Sequence, residues 1–493
     1  MSAYDGIPAR ERAAGQRNAD GPQSWRASEV SGKADRPAGA ASHFAPCGVD
    51  VGGSATRGLV GRLALDEAFV TDAGAAIPGA ELSYRTWGQL SANADNAIVV
   101  CHALTGSSDL EAWWPALLGP GRALDPERDF VIAIDTLGSV HGSTGPASLA
   151  ADGEPWGRRF PKLTVRDLVR SQQLVLDALG VRAVQLVLGG SLGGMQALEW
   201  ALIDPRVRAV AVIAAPARHE AWAMGWSAAQ RQALAADPSW PSDPFAARAG
   251  LAAARAIAML SYRAPEGFEE RFGRRRGDRH AFAVGDWLAH HGEALARRFD
   301  PLSYANLLDT MDAHDIGAGR GGVAAALAGL RVPLLAVSIE SDQLYPAAEV
   351  DVLVQGAPYG ELDQLRSPHG HDAFLIDQRV VESIVRRFRE RVTRHERELA
   401  STRAPLPLRE PGAEDDDARR ARTPGLSGRG SERAAAVAPA LRTPRTPTTS
   451  SAALARTSRS GASGEALARA VSAHDELARE REWPAYRVAG GVA

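Results

Sequence analysis

The chain has 493 residues, of which 45% are hydrophobic, so it is long enough to bury a sizeable core. Its 56 basic and 59 acidic residues nearly cancel to a net charge of −3, which gives no indication of a nucleic-acid or anionic-membrane partner. Two cysteines favour a reducing compartment, which we take to be the cytoplasm. The absence of a signal-peptide pattern and of about 18 consecutive apolar residues indicates a protein that neither enters nor crosses a membrane.

Residues 1–55 are rich in Gly, Ala, Ser and Arg without sustained periodicity, which predicts a disordered leader. A folded domain is expected at 56–400, where strand and helix patterns alternate. Short apolar runs, typical of parallel strands covered on both faces, occur at 96–104, 129–137, 183–190, 207–215 and 332–340. Helical patterns lie between several of these runs. The alternation predicts an α/β fold with a mostly parallel, doubly wound sheet.

The loop that follows the first apolar run is expected to supply one donor of an oxyanion hole. An oxyanion hole needs two backbone N–H groups, one after the nucleophile and one from a loop after an earlier strand. Leu104 in this loop and Leu192, which follows Ser191 in a later glycine-rich turn, are the candidates for these two donors. We interpret the neighbouring His102 as a structural residue that anchors the loop.

A glycine-rich turn around one serine follows the third run. Gly189-Gly190-Ser191-Leu192-Gly193 is a G-x-S-x-G between a strand and a helix, the context of a nucleophile elbow. A phosphate-binding loop is the alternative, but a Walker loop would end in Gly-Lys-Ser/Thr, and a G-x-G-x-x-G does not fit. The pattern therefore predicts that Ser191 is a nucleophile at a helix N-terminus.

The interval 217–325 breaks the alternation with helical segments that carry Arg and Trp residues. We interpret it as a helical lid inserted over the carboxyl edge of the sheet. No metal site is predicted there or elsewhere, because H-E-x-x-H and paired cysteines are absent. The adjacent His290 and His291 would point in different directions on a helix.

A serine nucleophile needs a base and an orienting carboxylate, in the chain order Ser, Asp/Glu, His for this fold. Asp342 follows the last strong strand, and His369 and His371 lie in a later loop before a helical run. Each residue alone has an ordinary structural interpretation, but together and in this order they indicate a triad. The pattern does not distinguish His369 from His371.

Residues 401–493 contain a Pro/Arg/Ser/Ala tract that buries too little apolar surface to offset the entropy lost on ordering. We predict a low-complexity, mostly disordered tail. Its residues 464–482 have helical spacing, which we interpret as a solvated, marginal helix.

Six segments together carry a resemblance to a known family: CHALTG, GSTGP (142–146), GGSLGGMQALEW, FEERFGR, SDQLYP and GHDAFL. They resemble the homoserine O-acetyltransferases, a branch of the α/β-hydrolase fold that also contains serine O-acyltransferases. The resemblance covers about residues 58–395. It implies Ser191 as nucleophile, Asp342 as orienting acid and His371, rather than His369, as base.

The resemblance also implies that Arg263 and Asp372 hold the amino-acid substrate. It implies acetyl transfer from acetyl-CoA to L-homoserine through an acyl-serine, in methionine biosynthesis, by a homodimer without a resident cofactor. Two segments depart from the family pattern, at 216–234 and in LGSVHGSTGP, and both are expected near the pocket. Serine as acceptor, succinyl-CoA as donor, an ester hydrolase and a non-catalytic binding protein are the alternatives.

Overall fold

The structure is a computed structural model that describes residues 57–402, with side chains as far as residue 398. The predicted leader, the predicted tail beyond residue 402 and the helical pattern at 464–482 lie outside these residues. The last helix continues to Thr402, close to the predicted end of the folded domain. Within the described part of the chain, no helix is long and apolar enough to cross a membrane.

Ten strands are present in the described region. Their bounds are β1 Leu59–Ala64, β2 Phe69–Val70, β3 Ala76–Ile77, β4 Glu81–Trp87, β5 Ala97–Cys101, β6 Phe130–Ile134, β7 Val184–Gly190, β8 Val210–Ile213, β9 Leu334–Ile339 and β10 Gly360–Leu365. Eight of them form one sheet in the order β1-β4-β6-β5-β7-β8-β9-β10. The six strands from β6 to β10 in this order are parallel, and β4 and β1 add antiparallel pairs at one edge. The predicted mostly parallel sheet is confirmed.

Twelve α-helices accompany the strands in this region. Their bounds are α1 Leu110–Trp113, α2 Val165–Ala178, α3 Leu192–Ile203, α4 Ala221–Ala235, α5 Arg248–Ser261, α6 Pro265–Arg271, α7 Ala283–Arg298, α8 Pro301–Asp312, α9 Val323–Ala328, α10 Ala347–Gly356, α11 Ala373–Ile376 and α12 Gln378–Thr402. Helices α4 to α8 lie between β8 and β9, within the interval predicted as a lid. A short 3-10 turn at Gly370–Asp372 precedes α11.

The apolar runs of the sequence become the central strands because both faces of the sheet are covered. Every residue of β5, β6, β8 and β9 is buried. Successive residues of β5 enter different cores: Val99 belongs to one apolar cluster, while Ile98 and Val100 belong to the other. This two-sided burial places the carboxyl ends of the parallel strands at one edge, where ligands of open α/β sheets bind.

Candidate active site

Ser191 lies in the sharp turn between β7 and α3, at the carboxyl edge of the sheet. Its backbone has φ 57° and ψ −126°, a combination that residues with a side chain rarely adopt. A Cβ on Gly193 would lie 2.1 Å from the carbonyl oxygen of Cys101, so only glycine lets α3 approach the end of β5 this closely. The turn thus has the strained strand-to-helix geometry of a nucleophile elbow.

The structure brings Asp342 and His371 together at the same edge. Asp342 follows β9, and His371 lies after β10. Nδ1 of His371 is 2.7 Å from Oδ2 of Asp342. The other carboxylate oxygen accepts hydrogen bonds from the backbone N–H groups of Leu344 and Tyr345, at 2.8 and 3.0 Å. Because the carboxylate holds the proton at Nδ1, neutral His371 presents Nε2 as a proton acceptor.

Electrostatics at His371 favour the imidazolium form. Burial of the ring lowers its pKa, but the charge of Asp342 and its hydrogen bond outweigh burial, so the pKa of His371 is raised above its ordinary value. Among the described residues, nothing hydrogen bonds to the buried Nε2 atom. This nitrogen can therefore take a proton from a substrate or from a nearby hydroxyl.

Phe374 links the histidine to the elbow. Its ring centre is 5.6 Å from that of His371, and a Cβ on Gly190 would lie 2.5 Å from the same phenyl ring. Ser191, the next residue, is consequently close to His371. Ser191 Oγ and His371 Nε2 do not form a hydrogen bond in this structure, and in many enzymes that bond tightens only when substrate binds.

Two backbone N–H groups beside the elbow are available to an oxyanion. Those of Leu104 and Leu192 donate no hydrogen bond to any residue in the described range. The contact between Gly193 and the end of β5 brings their two loops together. This pair of donors matches the arrangement that stabilises a tetrahedral intermediate.

The loop after β5, which supplies one of these donors, is fixed to the end of β6. Nε2 of His102 accepts the N–H of Thr136 at 3.0 Å, so Nδ1 carries the proton and donates to the next residue's carbonyl at 2.8 Å. Asp135 accepts both the N–H and the hydroxyl of Ser108, at 2.6 and 2.9 Å. Sequence reasoning missed Ser108 and Asp135, although an aspartate directly after an apolar strand was a usable signal.

Arg263 and Asp372 lie next to each other, with Arg263 Nε 3.0 Å from Asp372 Oδ2. The N–H is not directed at that oxygen, and Nε has no hydrogen-bond partner among the described residues. The N–H of Asp372 donates to the carbonyl of Tyr262 at the end of α5. Gly370, with φ 64°, packs so closely that a Cβ would lie 2.9 Å from Arg263 Cα. A cation and an anion are thereby held close to His371.

One of the two segments that depart from the family pattern, 216–234, forms most of α4. Trp222 and Trp226 of α4 pack edge to face with ring centres 5.7 Å apart, and Trp222 Nε1 donates to the carbonyl of Gln343. These contacts join α4 to the loop that follows Asp342, and the Trp222 side chain stays exposed. His369 lines a cavity beside α6, whereas it is His371 that contacts Asp342.

A buried polar chain that sequence reasoning did not find reaches the site from the lid. Nδ1 of His219 is 3.1 Å from Oδ1 of Asp312, and Nε2 is 3.1 Å from the hydroxyl of Tyr345. Arg231 pairs with the other oxygen of Asp312. Tyr345 also packs its ring 5.2 Å from that of His371. The chain connects Arg231 of α4 and Asp312 of α8 to the ring of His371.

Comparisons with known proteins define the class. Residues 96–378 match the family model for the alpha/beta hydrolase fold. Esterase E22 superposes with a TM-score of 0.62 and 24% identity, over 67% of this chain and 100% of that chain. Homoserine O-acetyltransferase from Bacillus anthracis superposes with a TM-score of 0.63 and 23% identity, over 67% and 97%. The predicted α/β-hydrolase fold is confirmed.

A relative with higher sequence identity identifies the family within this fold. The chain is 43% identical over 333 residues to homoserine O-acetyltransferase from Nostoc punctiforme, and the match spans 65% of this chain and 94% of the relative. The chain belongs to the homoserine O-acetyltransferase family. The enzyme class that the motifs predicted, an O-acyltransferase, is thereby confirmed.

Proposed function

We propose that the protein transfers the acetyl group of acetyl-CoA to the side-chain hydroxyl of L-homoserine, by a ping-pong mechanism, as a step of methionine biosynthesis. The observation that carries this proposal is the 43% identity to a homoserine O-acetyltransferase over 94% of that relative's length. Fold similarity does not decide the reaction, because esterase E22 shares the fold.

In the first half-reaction, Ser191 Oγ attacks the thioester carbon while its proton passes to Nε2 of His371. The N–H groups of Leu104 and Leu192 stabilise the oxyanion of the tetrahedral intermediate. The C–S bond then breaks, and the leaving thiolate of CoA takes the proton from Nε2. Asp342 keeps the imidazole oriented and stabilises its charged form. Acetylated Ser191 remains.

In the second half-reaction, the hydroxyl of homoserine gives its proton to Nε2 of His371 and attacks the acetyl carbon. The bond to Ser191 Oγ breaks, and this oxygen recovers the proton as O-acetylhomoserine leaves. Arg263 and Asp372 hold the carboxylate and the ammonium group of homoserine, respectively. Their imperfect alignment with each other supports this role, because each group can turn to a substrate charge.

Release of the CoA thiol tests the proposal. The purified protein is given acetyl-CoA or succinyl-CoA, each alone, with L-homoserine and with L-serine, and Ser191→Ala is the blank. We expect continuous release only with acetyl-CoA plus L-homoserine, whereas acetyl-CoA alone should release no more than about one CoA per active site as Ser191 becomes acetylated. Preference for L-serine or succinyl-CoA would replace the proposed substrate, and continuous release without an acceptor would identify a hydrolase. No release in any combination would contradict the transfer reaction itself.

Three further expectations, a homodimer, a cytoplasmic location and the absence of a resident cofactor, stay predictions. Light scattering of the purified protein tests the first of them directly.

A further inference from the structure

A cavity of about 400 Å³ opens between α6, the start of α7 and the loop that leads to His371. Its walls include three aromatic rings and three arginines, which are Phe268, Phe272, Trp287, Arg263, Arg271 and Arg275. Neither Ser191 nor Asp342 contributes to these walls. The cavity is therefore separate from the reacting groups. Arg263 joins the two regions, because it lines the cavity and also lies beside Asp372, the residue after His371.

Arg263 pairs with Asp372, but the other two arginines of this cavity carry charge that no carboxylate among the described residues neutralises. No aspartate or glutamate within the described residues forms an ion pair with Arg271 or Arg275. The only acid on the walls is Glu270. The guanidinium carbons of Arg263 and Arg271 each lie 5.7 Å from the centre of the Trp287 ring. Two cations thus share one indole, an arrangement that a bound anion would stabilise.

The neighbouring His291 reports the same positive field. Its ring centre is 4.4 Å from that of Trp287. Burial, together with the charges of Arg255, His290, Arg263 and Arg271, lowers the pKa of His291 to about 4. Burial is the largest cause, and the three arginines act in the same direction, as expected where cations cluster.

The cavity also has the right position for one part of an acyl donor. Pro368 and His369 form one wall, and His371 follows two residues later. A long ligand whose thioester lies at Ser191 can therefore extend its far end towards the cavity. The aromatic rings suit a stacked purine, and the free guanidinium groups suit phosphates.

We propose that this cavity binds the phosphate-bearing adenosine end of the acyl-CoA donor. The inference rests on the proposed function, since it names where the rest of that donor lies. Arg271 and Arg275 contact the phosphates, and the rings around Trp287 contact the base.

The test compares two double variants and two donors. R271Q/R275Q removes both free charges from the cavity. R274Q/R276Q removes the same charge from the same segment, but both of these arginines lie over Phe282 and do not line the cavity. The donors are acetyl-CoA and S-acetyl-pantetheine, which keeps the thioester but has neither phosphate nor adenine.

We expect R271Q/R275Q to lose about 100-fold in kcat/KM with acetyl-CoA, about tenfold for each charge-assisted contact, mainly through KM. With S-acetyl-pantetheine the loss should be less than about threefold, because this donor never reaches the cavity. R274Q/R276Q should stay within about twofold of the wild type with both donors. An equal loss with both donors, or an equal loss in both double variants, would overturn the proposal.

Direct binding separates this proposal from the proposed function. Adenosine 3′,5′-bisphosphate is titrated calorimetrically into the wild type and into R271Q/R275Q. Binding to the wild type that weakens at least about tenfold in the variant supports the cavity even if no acetyl transfer is found. Absence of binding to the wild type, or equal binding to both proteins, contradicts it. Because both arginines are exposed, the melting temperature of the variant should stay unchanged.

Discussion

The ring of His371 is surrounded by three aromatic side chains. Ring centres of Tyr262, Tyr345 and Phe374 lie 5.6, 5.2 and 5.6 Å from it. These rings keep water away from the contact between Nδ1 and Asp342, which strengthens the electrostatic interaction there. The polar face that remains for chemistry is Nε2. A base enclosed in this way suits an enzyme in which water must not reach the acylated nucleophile.

Asp342→Asn tests how much of the basicity of His371 depends on the carboxylate. Burial alone would lower the pKa of His371, and Asp342 raises it. The acidic limb of the pH profile of kcat/KM, which reports protonation of the base, should therefore move to lower pH in the variant. We also expect kcat to fall about 10⁴-fold, because the wrong tautomer is favoured.

Asp363→Asn is the matched control, since the carboxylate of Asp363 forms an exposed ion pair with Arg387 and accepts the N–H of Gln364, without contact to His371. It should leave both kcat and the acidic limb unchanged. An acidic limb that stays in place or moves to higher pH in Asp342→Asn would contradict the role assigned to Asp342.

Tyr345→Phe separates stability from catalysis at the buried chain. Asp312 fixes the proton of His219 on Nδ1, so Nε2 of His219 accepts a hydrogen bond from the hydroxyl of Tyr345. The variant keeps the ring against His371 but leaves this nitrogen without a partner. We expect the free energy of unfolding to fall by about 1–3 kcal/mol, and kcat to change less than about threefold.

Denaturant unfolding and steady-state kinetics measure the two effects of Tyr345→Phe. Tyr304→Phe is the comparison, because its buried hydroxyl bonds to Gln230 rather than to the chain at the site. A large loss of kcat with unchanged stability in Tyr345→Phe would instead assign the hydroxyl to the reaction.

At the scale of elements, the packing of α3 against β5 sets the relative position of the N–H groups of Leu104 and Leu192, the two proposed oxyanion donors. Leu192 is the first residue of α3, and Leu104 lies three residues beyond the end of β5. The close contact at Gly193 determines the distance between them. A change at this one contact therefore alters the geometry of both N–H groups.

Gly193→Ala tests this dependence. Its Cβ would meet the carbonyl of Cys101 at 2.1 Å, so helix and strand must move apart. We expect kcat to fall about 10²–10³-fold, as for loss of an oxyanion donor, and the free energy of unfolding to fall by about 1–3 kcal/mol.

Gly225→Ala in α4 is the control, because its Cβ would meet nothing within 4 Å. This control should be fully active and more stable by about 0.5–1 kcal/mol. Full activity of Gly193→Ala would disprove the coupling.

The elements also show what the sequence could predict. The continuous apolar runs correspond to β5 to β9, because two-sided burial leaves a strong pattern. Strands β1, β4 and β10 were not predicted. In β4 a polar residue, Ser83, separates Leu82 from Tyr84, as in antiparallel strands, and the edge strand β10 carries the charged residues Glu361 and Asp363. Searching for continuous apolar runs does not find such strands.

The residues of the candidate site also fall into those that the sequence predicts and those that it does not. Motifs at strand ends predicted Ser191 and Asp342 in the chain order nucleophile, acid, base, and the family resemblance supplied His371 as the base. The residue pattern alone could not choose between His369 and His371, because the choice depends on how the 3-10 turn packs against the end of α5. The chain from Asp312 through His219 to Tyr345 joins distant segments and has no local signal.

At the scale of the molecule, Glu199 connects the end of the inserted segment to the sheet domain. This glutamate of α3 pairs with Arg166 of α2 at 2.7 Å and with Arg320, which lies just before α9. Its side chain is 4% exposed. Burial raises its pKa, but the hydrogen bonds and charges of the two arginines outweigh burial, so the pKa of Glu199 is lowered.

Glu199→Gln should therefore destabilise the whole fold. Among the described residues, loss of the charge leaves Arg320 without a carboxylate partner and Arg166 with only the more distant Asp72, which costs about 3 kcal/mol at neutral pH. Because the folded-state pKa lies below the unfolded value near 4.3, this contribution is present above that pH and is lost as pH falls through the folded pKa. The stability difference between wild type and variant must then shrink in acid.

Denaturant unfolding from neutral pH down through the folded-state pKa measures this difference in the free energy of unfolding. Glu390→Gln, in the exposed pair with Arg386, is the control, and its free energy of unfolding should match that of the wild type at every pH. A difference that is independent of pH would mean that Glu199 acts through packing, not charge.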